Sequence, residues 1–130
     1  EAGTVVVYKS ATCSCCSRWV EHLRLAGLKV EVRNEDDLSS IKTRLGVSQD
    51  LASCHTATVS GYVIEGHVPA AEIKRLLIEK PKARGLAVPG MPIGAPGMEQ
   101  GDVVDPYTVL LFGGTGETQI YAQYGAPANR

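Results

Sequence analysis

The chain lacks any long apolar run. Its longest, such as Thr4 to Tyr8 and Val109 to Phe112, are strand-sized, far short of the ~20 residues that a membrane-spanning helix requires. It also lacks an excess of charge of either sign: 13 basic against 14 acidic residues leave a net charge of −1, without the basic footprint that binds nucleic acid or an anionic membrane. No Lys/Arg cluster, Walker-type loop or dinucleotide-binding glycine pattern occurs. Nucleic-acid partners and a membrane span are thereby set aside. An initiator Met is missing too. The opening Glu1-Ala2-Gly3 is what a mature N-terminus after signal-peptide removal, or a trimmed one, would leave.

What remains is ordinary in bulk. A length of 130 residues suits one domain, and 44% hydrophobic with 21% charged residues is a globular composition. Four cysteines, an even number, suit an oxidising compartment.

Local patterning predicts an α/β domain. Thr4 to Tyr8 is β-branched and reads as a buried strand, followed by a polar loop over Ser10 to Ser14. From about Cys16 to Ala26 a helical stripe carries Trp19, Val20, Leu23 and Ala26, and Gly27 closes it. Leu28 to Arg33 alternates as a second strand. Asp36 or Asp37 caps a second helix with Leu38, Ile41 and Leu45 inward, ended by Gly46. Thr56 to Ser60 and Tyr62 to Glu65 read as a tight hairpin across Ser60-Gly61. Pro69 is placed to open a helix over Ala70 to Lys80, with Ile73, Leu76 and Leu77 buried and Pro81 as its stop.

The order β-α-β-α-β-β-α, with a crossover helix first and a hairpin later, is the thioredoxin-like arrangement. That core spans about 4–81. A Gly/Pro/Met stretch over about 82–104, with Met91 and Met98 among prolines and glycines, predicts no regular element. A further β-hairpin over about 105–124 and disordered last residues complete the single domain.

The chemistry concentrates at Cys13-Ser14-Cys15-Cys16. Cys13 and Cys16 have the spacing of a thiol-disulfide redox pair, and a strand-then-helix context is where such a pair works. A helix N-terminus, with its free N–H groups and partial positive charge, favours thiolate. Cys15 changes the problem: three thiolates in four residues repel one another, disulfide exchange uses only two, and a bound cation relieves the repulsion. Cys54, followed by His55, is distant in sequence and can complete a sulfur-rich set, with His67, Met91 and Met98 as further donors. Thiolate, thioether and imidazole together select soft copper over zinc, and thiolates can bridge more than one ion.

Each residue also has a plainer reading. The cysteines could form structural disulfides, or Cys13 and Cys16 a catalytic dithiol. His55 could hydrogen-bond only, and His67 could be a polar residue ahead of a helix. Met91 and Met98 could fill gaps in the core. Trp19 reads as core, and His22, mid-helix, as a solvated surface residue.

The sequence resembles the CopG-type copper-resistance proteins of Gram-negative bacteria, a family long catalogued as a domain of unknown function. The resemblance rests on Tyr8-Lys9-Ser10, Thr12-Cys13-Ser14-Cys15-Cys16, Trp19-Val20-Glu21-His22-Leu23 and Ser53-Cys54-His55-Thr56. It continues through Gly61-Tyr62, Glu65-Gly66-His67-Val68-Pro69, Gly85 to Pro92 and Gly97-Met98-Glu99, covering roughly residues 4–124. Ala95, where a serine is expected, is a departure without evident chemical consequence. The resemblance implies a thioredoxin-like fold, a periplasmic location, copper binding and a role in copper tolerance; it leaves open whether the protein sequesters copper, exchanges it with a copper chaperone or exporter, or changes its redox state. The metal-site residues it implies are Cys13, Cys15, Cys16, Cys54 and His67, together with Met91, Met98 and His55. The alternative is a periplasmic thiol-disulfide oxidoreductase with Cys13 as nucleophile and Cys16 as resolving thiol. Against it, Cys54-His55-Thr56 has no proline where such enzymes commonly carry one beside the active site.

Overall fold

The computed structural model describes residues 3–101 and 105–125. The expected disorder of the last residues falls on 126–130, outside the described residues. The elements run β1 (Val5–Lys9), α1 (Ser14–Leu25), β2 (Val30–Asn34), α2 (Leu38–Arg44), a 3-10 turn (Gln49–Leu51), β3 (Thr56–Val59), β4 (Tyr62–Glu65), α3 (Ala70–Glu79), β5 (Gly85–Ala87), β6 (Tyr107–Phe112) and β7 (Thr118–Tyr124). The expected β-α-β-α-β-β-α order is present and the C-terminal hairpin follows it.

All seven strands form one sheet in the order β2-β1-β3-β4-β5-β6-β7. β1 and β2 pair in parallel across the α1 crossover, whereas β3 and β4 form the antiparallel hairpin. Period-2 alternation distributes the strand residues between two packed faces. Val5, Val7, Ile64 and Leu86 join Trp19, Leu23, Ile73 and Leu76 on one face. Their neighbours Val63 and Ala87 join Phe112, Val47 and Leu51 on the other. Each aliphatic side chain so buried stabilises the fold by roughly 1.5–3 kcal/mol.

Two sequence expectations need correction. The Gly/Pro stretch does contain a regular element: Gly85–Ala87 pairs in parallel with Val63–Glu65 and antiparallel with Leu110–Phe112. A Cβ on residue 85 would stand 1.7 Å from the Val63 carbonyl oxygen, so only glycine permits this approach. Three residues are too few to produce a periodic signal, and glycine reads as a breaker. Helix α1, for its part, starts at Ser14 and not near Cys16. The apolar stripe begins at Cys16, but the helix itself begins two residues earlier, directly after its Cys13 cap.

Candidate metal centre

Cys13 is the N-cap of α1. Its backbone is extended (φ −82°, ψ 101°) and its Sγ accepts from the Cys16 N–H at 3.3 Å, the role that a Ser or Asp oxygen commonly fills. Cys15 and Cys16 therefore lie in the first helical turn, near the positive end of the helix dipole. Cys13 and Cys16 are joined by a disulfide, and Cys15 and Cys54 are free thiols.

The β3–β4 hairpin brings the distant donors to that helix end. Its register sets Thr56 opposite Glu65, and one further bond, Gly66 N–H to the His55 carbonyl at 3.1 Å, extends the ladder past both strands. Cys54 and His55 enter one arm and His67 leaves the other. Cys54 Sγ consequently lies 3.2 Å from His55 Nδ1, 3.2 Å from His67 Nε2 and 3.5 Å from Cys16 Sγ. Cys15 Sγ is 3.4 Å from Cys13 Sγ. Two overlapping donor groups result: the four cysteine sulfurs, and Cys54 with His55 and His67, the ligand atoms of each within 4.8 Å of one another.

Both histidines are fully buried. The His55 ring lies 4.3 Å from the Trp19 ring and edge-on to His67 at 4.8 Å. Trp19 is core, as expected, and its indole N–H donates to the Val68 carbonyl at 2.8 Å. His67 Nδ1 faces the Pro96 carbonyl at 2.6 Å. A carbonyl only accepts, so Nδ1 carries the proton and Nε2 presents its lone pair toward Cys54, the arrangement by which a hydrogen bond on one ring nitrogen readies the other for a metal. His55 Nε2 has no hydrogen-bond partner among the described residues. A buried polar atom without one is uncommon and points to an absent partner.

The loop supplying Pro96 can approach because residue 97 is glycine. With φ at +90°, a Cβ there would stand 2.8 Å from the Cys15 carbonyl, 2.9 Å from Trp19 N and 3.1 Å from His67 Nδ1. Pro96 and Gly97 thus wall the centre directly. Met98 is half-buried two residues beyond the Pro96 contact. Met91 is 47% exposed and lines a separate surface cleft with Pro89, Pro92, Tyr107 and Ile120. His22 departs from expectation: it is half-buried, and its Nε2 accepts from the Ala70 N–H at 3.0 Å, at the start of α3.

Burial and the neighbouring Cys15 push the Cys54 thiol up to about 11. Burial holds His55 well below the usual imidazole range, with His67, Lys42 and Lys9 adding to the effect, and burial also lowers His67. Neutral imidazole is the form that ligates a metal. Beneath the loop lies a group that pattern reading passed over. Glu65, with no exposed surface, pairs with Lys42 and accepts from Ser53 N–H and Thr56 Oγ1. A charged residue at the inward end of a short strand was the available signal.

A profile for a family described as proteins of unknown function, DUF411, matches residues 51–98, which include Cys54, His55, His67, Met91 and Met98. No curated protein sequence matches the chain. Two solved structures described as copper resistance protein CopG, forms 1 and 2, superpose on it with a TM-score of 0.91 at 44% identity. The match covers 97% of this chain and 100% of form 1, and 95% and 99% for form 2. The chain belongs to the CopG family. In this CopG homologue the Cys/His cluster is able to hold a metal. No helix among the described residues is long and apolar enough to cross a membrane.

Proposed function

We propose that this protein binds Cu(I) at the Cys/His cluster in the periplasm and contributes to copper resistance there. The observation that carries the reading is the meeting of two donor groups at Cys54: the four cysteine sulfurs, and Cys54 with the two buried neutral imidazoles of His55 and His67. That donor set is soft, which favours Cu(I) over the hard cations. His55 turns Nδ1 toward Cys54 Sγ at 3.2 Å, the nitrogen it would offer to an ion held beside that sulfur. Cys13, Cys15, Cys16, Cys54 and His67 form the proposed ligand set. His55 stands beside them, and Met98 and Met91 are donors on the covering loop and its margin. A thioredoxin-like core is the fold reading that the β-α-β-α-β-β-α order supports.

Copper is cargo in this reading, received from or passed to a periplasmic chaperone or exporter. Cys13 and Cys16 are oxidised in the structure, so two electrons and two protons must first open the disulfide before both can act as thiolate donors. Copper binding is thereby tied to redox state.

The disulfide also favours a second reading, a thiol-disulfide oxidoreductase using Cys13 and Cys16. The two free thiols beside it support the first: dithiol exchange uses only Cys13 and Cys16, whereas Cys15 Sγ lies 3.4 Å from Cys13 Sγ and Cys54 Sγ 3.5 Å from Cys16 Sγ. Elemental analysis and copper-edge X-ray absorption on anaerobically reduced protein test the choice. More than one Cu(I) per chain in a sulfur-rich shell is expected. Little retained copper, with the dithiol still turning over in an insulin-reduction assay, would overturn the copper reading in favour of the enzyme.

A further inference from the structure

One carboxylate straddles the Cys54-His55 segment. Glu65 accepts from the Ser53 backbone N–H at 2.7 Å through Oε2 and from Thr56 Oγ1 at 2.6 Å through Oε1. Ser53 immediately precedes Cys54, and Thr56 immediately follows His55. Lys42, reaching in from α2, donates to Glu65 Oε2 and, at 2.9 Å, to Thr56 Oγ1. Ser53 Oγ in turn donates to the Gly90 carbonyl at 2.6 Å, joining the covering loop to the same anchor.

Such a pair is a poor stability device. Desolvating two charges commonly offsets their attraction, and a well-packed apolar pair serves a core as well or better. Its geometry, however, fixes the two residues on either side of the donor segment, one through its backbone and one through its side chain. We infer that Glu65, balanced by Lys42, is a positioning residue for the metal centre, its two oxygens clamping the loop that aims Cys54 Sγ at His67 Nε2 and at the helix-end cysteines. Outer contacts of this kind commonly govern metal affinity by about 10–100-fold without touching the ion. The inference rests on the copper reading for the identity of the ion, whereas the clamp itself is present without metal.

The test uses the full chain, reduced and metal-free, as wild type, Lys42→Met/Glu65→Leu and Glu65→Gln. Each is alkylated with iodoacetamide, with cysteine-resolved mass spectrometry, and titrated with Cu(I) against a chromogenic chelator. In the double variant, cooperative unfolding is retained while Cys54 alkylates faster by about tenfold or more, as expected of a segment released to open locally. Cys15 alkylation is unchanged, and Cu(I) affinity falls about 10–100-fold. Glu65→Gln, which keeps an acceptor toward Ser53, recovers part of both. A folded double variant with wild-type Cys54 alkylation would overturn the inference. Should the double variant not fold, Thr56→Val removes one arm of the clamp and is read the same way. If wild type itself retains no copper, the copper reading falls, and the alkylation ratio still decides the clamp.

Discussion

His67 Nε2 lies 3.2 Å from Cys54 Sγ, although the two residues stand on opposite arms of a hairpin and 13 positions apart. The ladder between β3 and β4 sets that distance, and the helix end of α1 adds its cysteines from a third direction. The centre is therefore assembled from a hairpin mouth, a helix N-terminus and a covering loop.

Replacing Cys15 tests whether the cluster is more than a dithiol. Cys15→Ser leaves the Cys13–Cys16 disulfide able to form, because its Sγ only neighbours Cys13 at 3.4 Å. Copper retained per chain is expected to fall markedly, and affinity by more than about tenfold, since loss of a direct ligand should exceed the low end of an outer-contact loss. Unchanged stoichiometry by elemental analysis would defeat the cluster.

Proton competition gives a pH signature. Cys54, pushed up to about 11 by burial and by Cys15, is protonated at neutral pH and must release its proton to ligate. Apparent Cu(I) affinity is expected to rise with pH between 6 and 9, with proton release on binding. Chelator competition at several pH values, with calorimetry in buffers of differing ionisation enthalpy, measures both. A flat profile would remove Cys54 from the ligand set.

Gly97→Ala should act on both stability and the centre. Alanine at φ +90° with backbone atoms 2.8 and 2.9 Å from its Cβ is expected to cost about 1–3 kcal/mol. It should also lift the Pro96 carbonyl from His67. Denaturant unfolding followed by the single, buried tryptophan, Trp19, reads the first effect. Cu(I) affinity reads the second.

Acid sensitivity of the metal-free protein has a distinct source outside the cluster. Burial lowers His22 in the folded state, with Glu99 opposing the effect, and its neutral Nε2 accepts from Ala70 N–H. Above the unfolded value near 6.5 both states leave His22 neutral, and its contribution is complete. As pH falls below about 6.5, the unfolded chain takes up the proton first and stability declines until the folded value is passed. His22→Gln should flatten part of this slope in urea midpoints between pH 7 and 5. His55 and His67, lowered in the same sense, leave the remainder.

Much of this architecture was legible because it rests on local chemistry. The Asp37 cap, whose carboxylate accepts from Ser40 N–H at 3.1 Å, the Ser60-Gly61 hairpin and the apolar stripe of α1 each follow from residue types at fixed spacing. The cysteine motif was legible for the same reason. Three features were not. Strand β5 is three residues long and is specified by its neighbours. His22 acquires its role only when α3 packs near α1, and no spacing along one helix reveals that. Lys42 and Glu65 meet from different elements, so their pairing is a property of the tertiary fold alone. The two methionines differ for a related reason: composition placed both on one loop, but only chain path shows Met91 at a surface cleft and Met98 two residues from the Pro96 contact with His67.

Strand β5 gives the molecule an interchangeable part. The chain leaves the sheet at Ala87 and re-enters it at Tyr107 on β6, the strand already hydrogen-bonded to β5. The two strands are neighbours, with Ala87 opposite Leu110, so closing the excursion depends only weakly on how many residues it contains. Residues away from the Pro96 and Gly97 contacts could therefore be added, removed or given different donors while the strand pairing beneath stays as it is. A grafted segment that kept those two contacts would then change what the pocket accepts without asking the rest of the protein to refold around it.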